Sequence, residues 1–189
     1  MHALIVFESM FGNTEVIARA IAEGISSRMP VEVVEVSAAP AEIDSDVAFL
    51  VVGGPTHAFG MSRPETRQDA SRQALGHLVS RGDGIREWIA GVTCRVPVPA
   101  VAFDTHINKG WVPGSAGRGA QKRLRAKGFI DAERARSFYV KGVPGPLVEG
   151  EATVARQWGE QLVLELAIKE PDQQPSFPAD SMAPEIEVH

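Results

Sequence analysis

The chain has 189 residues, 44% of them apolar, and a formal net charge of −5. That is enough for one ordinary domain with a real core, and the acidic balance supplies no general basic field that would call for nucleic acid. The sole cysteine, Cys94, excludes an internal disulfide and a multi-cysteine metal site and suits a reducing, cytoplasmic setting, while the apolar run in MHALIVFE is too short for a signal segment or a membrane span.

ALIVF, residues 3–7, is a short continuous apolar run, as expected of a strand buried on both faces. From Thr14 the spacing becomes helical: Val16, Ile17, Ala20, Ile21, Gly24 and Ile25 form one stripe. Asn13 or Thr14 is expected to cap this helix, with Glu15 in its first turn. VEVVEV (31–36) reads as a second strand, and the segment after it as one or two helical turns. VAFLVV (47–52) is a third strand, ending on Gly53-Gly54-Pro55.

Helical pieces follow: one starting near Pro64, and GIREWIAG. PAVAF (99–103) reads as the fourth strand, with Pro99 tolerated at its beginning. Ser115 opens a helix that ends at Gly128, and its Lys122, Arg123, Arg125 and Lys127 complement the dipole at the C-terminus. SFYV (137–140) is the fifth strand. A last helix over 152–168 carries Val154, Trp158, Leu162 and Leu166 on one stripe, which makes Trp158 a core residue. Residues 170–189 hold four prolines and few large apolar groups. They are expected to form an extended tail outside a domain of residues 1–169.

Strands alternating with helices imply a doubly wound five-stranded parallel sheet covered on both faces. In such sheets ligands bind beyond the carboxyl ends of the strands, where the strand order reverses. The turns after strands one, three and four, residues 8–14, 53–60 and 104–115, are the richest in glycine, hydroxyl and aromatic residues. The first turn, Ser9-Met10-Phe11-Gly12-Asn13-Thr14, contains no lysine or arginine. Helix-start amides, the Ser9 and Thr14 hydroxyls and a close backbone approach at Gly12 suit either a phosphate or ordinary helix capping. The fingerprints G-x-x-x-x-G-K-[ST] and G-x-G-x-x-G are both absent. A receiver domain is excluded because strand three ends in glycines, without a phosphoacceptor aspartate.

The stretch from Ser9 to Thr14 resembles the phosphate loop of the flavodoxin family, T/S-x-T/S-G-x-T, with Phe11 standing where many members have a second hydroxyl. GGPTHAFG, residues 53–60, is similar to the second loop of that family, and Asp104 falls where its third loop begins. The resemblance covers roughly residues 2–168 and implies strand order 2-1-3-4-5 with bound FMN. It places the FMN phosphate on Ser9, Met10, Phe11, Gly12, Asn13 and Thr14. It places the ring beside Pro55, Thr56, His57, Ala58, Phe59 and Gly60 on one side and Asp104, Thr105 and Trp111 on the other. Phe59 or Trp111 could stack on the ring or anchor a loop, and His57 or His106 could move a proton or serve only through their backbone. The implied function is electron transfer with redox partner proteins or a small-molecule acceptor, without nucleic acid or membrane. An S-M-aromatic-G turn also occurs in flavodoxin-like quinone reductases. A nicotinamide-driven reductase and a flavin-free scaffold are the competing functions. No histidine, cysteine and carboxylate cluster has metal-ligand spacing.

Overall fold

The computed structural model describes residues 1–74, 78–107 and 113–169. Five long strands, β1 (His2–Phe7), β2 (Val31–Glu35), β3 (Val47–His57), β4 (Pro99–Ile107) and β5 (Arg136–Val140), alternate with helices. The helices are α1 (Asn13–Ile25), α2 (Pro64–Gln73), α3 (Ile85–Gly91), α4 (Ala116–Ala126) and α5 (Glu151–Lys169). All long-strand pairings are parallel, in the order 2-1-3-4-5. The expected doubly wound α/β sheet is therefore present.

Both faces of the sheet are buried, which is why its strands read as continuous apolar runs. Ala3, Ile5 and Phe7 of β1 join Phe49, Val51, Val101 and Phe103 beneath α1 and α5. Leu4 and Val6 join Leu50, Val52, Ala100 and Ala102 beneath α3 and α4. Trp158 is 1% exposed in the first of these layers, and its indole nitrogen donates to Glu133 Oε2 at 2.8 Å. Cys94 is half-buried and packs against the second.

Several boundaries differ from the sequence reading. β3 and β4 do not stop at Val52 and Phe103 but continue to His57 and Ile107, pairing Gly53 with Phe103, Gly54 with Asp104 and Pro55 with Thr105. Glycine permits this: a Cβ at Gly53 would collide with the Phe103 ring. The expected loop at 53–60 is thus mostly strand, and it turns at Ala58 (φ 42) and Phe59 (φ 72) into Gly60–Met61, which pairs antiparallel with its end. β2 ends at Glu35, and Val36–Ala38 forms one 3₁₀ turn. The segment after it contains the short strand Glu42–Ile43, paired with Thr93–Cys94, where further helix was expected. Ile130–Asp131 lies beside the start of β4.

Among the described residues no helix is long and apolar enough to cross a membrane, and no group of histidine, cysteine and carboxylate side chains could hold a metal ion. The tail expected at 170–189 and the site candidate Trp111 lie outside the described residues.

Candidate functional site

The turn after β1 is shaped by Gly12, which takes the left-handed conformation (φ 86, ψ −15) as the cap of α1. A side chain is strained there, so glycine is the residue this turn requires. The expected capping by Asn13 or Thr14 does not occur: α1 already includes both, and no side chain caps it. Their polar groups are used elsewhere. Asn13 Nδ2 donates to the Pro144 carbonyl at 3.1 Å, and the Thr14 and Thr105 hydroxyls lie 2.8 Å apart. The first helical bond runs from Val16 N to Gly12 O at 3.0 Å, so the amides preceding it at the helix start have no helical acceptor.

A strap formed by Val79 and Ser80 holds the turn from outside. Ser9 N donates to Ser80 Oγ at 2.9 Å, Ser80 N to Ser9 O at 2.8 Å and Val79 N to Met10 O at 3.2 Å. The Ser80 hydroxyl then donates to Glu35 Oε1 at 2.6 Å, which ties the strap to the end of β2. The Ser9 hydroxyl is fully buried without a hydrogen-bond partner, and Ser9 lines the adjoining cavity. Nothing in the local pattern around Ser80 signals this role, because its partners are 71 and 45 residues away.

The cavity has a volume of about 440 Å³, within the ~300–1,000 Å³ usual for small-molecule sites. Ser9, Met10, Phe11, Asn13 and Thr14 line one end. Pro55, Thr56, His57, Ala58 and Phe59 line a second wall, and Thr105, His106 and Ile107 a third. The fourth comes from α2, through Thr66, Asp69, Ala70 and Gln73, with Gly114, Val140 and Val143 at the margins. The α2 residues escaped the sequence reading because their polar pattern resembles any solvated helix face. Gly12 and Gly60 shape the backbone without lining the cavity. Phe59 is 62% exposed at the rim, with its backbone against Gly114.

Asp104 also stands outside the cavity wall. Its carboxylate is buried at the start of α4, where Oδ2 accepts from Thr56 Oγ1 (3.0 Å), Ser115 Oγ (2.5 Å) and the Gly117 amide (2.9 Å). Burial pushes its pKa up, but the polar groups around it, His106, Ser115, the Gly117 amide and Ser137, outweigh burial and hold it below the usual aspartate range. Asp104 therefore fixes the frame: it joins β3, β4 and α4, and Thr56 Oγ1 in turn accepts from the Ala116 amide at 2.9 Å. His106 Nδ1 lies 3.6 Å from Asp104 Oδ1, and its ring meets Tyr139 edge-on with centroids 4.9 Å apart.

Glu8 lies beneath the turn. It is fully buried, with Oε2 accepting the Ile85 amide at 3.0 Å and Oε1 without a hydrogen-bond partner. Burial raises its pKa, against the lowering influence of Ser62, the Ile85 amide and Arg67. Arg67 is shared with Ser62 Oγ at 2.9 Å and Glu87 Oε2 at 3.0 Å. His57 is pushed below the usual histidine range by burial, assisted by the charge of Arg67. The shift favours the neutral imidazole, against the raising influence of the hydrogen bond with the Thr66 backbone.

The flavodoxin family profile matches residues 5–81, the stretch that holds the first turn, β3 and the hairpin. The chain has a flavodoxin-like fold. An archaeal flavodoxin superposes with a TM-score of 0.58 at 19% identity, over 88% of this chain and 99% of that one. Flavodoxin 1 from Bacillus cereus gives a TM-score of 0.62 at 18% identity, over 87% and 98%. A flavodiiron protein from Giardia intestinalis gives 0.54 at 18% identity, over 88% of this chain and 36% of the other. At these identities the likeness establishes the fold. No curated protein sequence matches the chain.

Proposed function

We propose that this flavodoxin-like domain binds FMN in the cavity and acts in electron transfer, exchanging electrons with a redox partner protein or a small-molecule acceptor. The observation that carries the reading is the first turn. A left-handed Gly12 shapes a turn whose helix-start amides lack helical acceptors and whose buried Ser9, its hydroxyl unpartnered, lines one end of the cavity. Such neutral donors suit a doubly charged terminal phosphate, and the helix dipole adds to them. Residues 9–14 would hold the phosphate, and the hairpin at 55–60 and Thr105 would flank the ring. FMN, when bound, supplies the redox chemistry itself. The chain binds and orients it, with the hairpin and β4 forming two of the cavity walls. Asp104 contributes indirectly, by fixing Thr56 and the start of α4.

The visible spectrum of the purified protein, with the released cofactor identified, tests this. FMN bound far more tightly than riboflavin supports the reading, and equal affinities overturn the phosphate argument. Sustained oxidation of a nicotinamide cofactor in the presence of a quinone would assign the reductase function in place of a carrier. Absence of any flavin affinity would leave a binding scaffold.

A further inference from the structure

The sequence of α4, AGRGAQKRLRA, contains four cations and no acid. The dipole accounts for Arg123 and Arg125 in its last turn. It does not account for Arg118, which sits in the first turn at the positive end, or for Arg118 and Lys122 spaced i,i+4, where like charges repel. This helix therefore carries positive charge against its own stability, in a chain whose net charge is −5.

The charge is also unneutralised. Arg125 pairs with Asp131, whereas Arg118, Lys122 and Arg123 are exposed and, among the described residues, have no carboxylate partner. Arg63, exposed at the start of α2, adds to the same face. Between them Arg86 donates to the Ser62 carbonyl at 2.8 Å and the Met61 carbonyl at 2.7 Å. Burial and the charges of Arg123 and Arg63 lower its pKa, which reflects the crowding of cations there. Met61 and Gly119 meet where the hairpin and α4 adjoin.

This face starts at the site. Ala116 N bonds Thr56 Oγ1, and Gly114 abuts the backbone of the exposed Phe59. An apolar, 62% exposed side chain at the cavity mouth is thus bordered by a basic rim. The cations are spread over roughly 10 Å of helix, which suits a surface more than a single phosphate.

We propose that the basic face of α4, with Arg63 and Arg86, docks an acidic redox protein against the cavity mouth. Positive charge beside the site would steer a negative partner and orient it over Phe59. The proposal rests on the flavin reading for the partner being a redox protein, and the docking can be measured without flavin.

The test uses a strongly acidic [2Fe–2S] ferredoxin as probe and titrates it against the full chain at low and at physiological ionic strength. Binding should weaken as salt rises. The variant Arg118→Glu/Lys122→Glu should lose at least about tenfold in affinity at low salt. The variant Arg28→Glu/Arg134→Glu makes the same change in net charge at exposed arginines outside this face and should stay within about twofold of the parent. Circular dichroism confirms that both fold. Equal losses in the two variants, no loss in the α4 variant, or tighter binding of a single-stranded oligonucleotide than of ferredoxin would each overturn the proposal. If ferredoxin binds through α4 but no flavin is present, the flavin reading fails and the docking surface stands. If flavin is bound and the α4 variant binds ferredoxin normally, the docking surface fails alone.

Discussion

The hydroxyls of Thr14 and Thr105, 91 residues apart in sequence, lie 2.8 Å from each other in the wall of the cavity. One donates to the other, and the proton of the accepting hydroxyl remains free for a ligand. The first turn of α1 and the end of β4 are thereby locked at one separation.

This pair makes a joint prediction. Thr14→Val and Thr105→Val keep the side-chain shape and remove the bond, at about 0.5–1.5 kcal/mol of stability each. FMN affinity should fall on the order of tenfold or more in Thr14→Val, whose hydroxyl belongs to the phosphate turn, the loss expected for a hydrogen bond to a charged group. Riboflavin affinity should barely change. The double variant should lose little more than Thr14→Val alone, because the two hydroxyls act as a unit. Flavin fluorescence titration measures all of these, and equal losses for FMN and riboflavin would show that the pair only supports the fold.

Ser80 is predicted to matter for the first turn although it is absent from the cavity wall. Ser80→Ala leaves the Ser9 amide without its acceptor and removes the bond to Glu35. A buried donor left unpaired costs about 1–3 kcal/mol. Denaturant unfolding should show that loss, with faster amide exchange at Ser9 and Met10. Unchanged exchange there would mean that the strap does not hold the turn.

Glu8 predicts a pH dependence of stability. Its pKa is raised in the folded state, so the native protein binds the proton more tightly than the unfolded chain. The resulting stabilisation is fully present below the ordinary glutamate pKa and is lost as pH rises through the folded value. Glu8→Gln keeps an acceptor for the Ile85 amide without the charge. Its melting temperature should gain on the parent as pH is raised from about 4 to neutral. A constant difference across that range would show that Glu8 is not the responsible group.

Asp104 gives the opposite sign. Its folded pKa is lowered, so its contribution is present above the ordinary aspartate pKa and is lost as pH falls through the folded value. Asp104→Asn weakens three hydrogen bonds to a buried charge and should destabilise by on the order of 2–3 kcal/mol near pH 7. The gap to the parent should narrow in acid. Thermal melts from pH 7 to about 3 follow this, and a gap that widens in acid would contradict the assignment.

The sequence by itself determined the layered fold. Strands buried on both faces must be apolar without a break, as in ALIVF and VAFLVV, and amphipathic helices must repeat at their own period, so the alternation was legible residue by residue, whereas the strand order followed only from the resemblance of the turns to flavodoxins. Gly12 was visible as a point of close backbone approach, though not as a left-handed one, and the burial of Trp158 was visible as its stripe. Only the tertiary structure decided how the polar groups are spent. Thr14 caps nothing because Thr105 is opposite it, Asp104 faces α4 because Ser115 and Gly117 supply donors there, and Ser9 is strapped by Ser80. β3 and β4 outrun their apolar cores because each continues to pair with the other, through Gly54 with Asp104 and Pro55 with Thr105. Periodicity records whether a residue is buried, whereas a hydrogen-bond partner many residues away is chosen only when the chain has brought both groups to the same place.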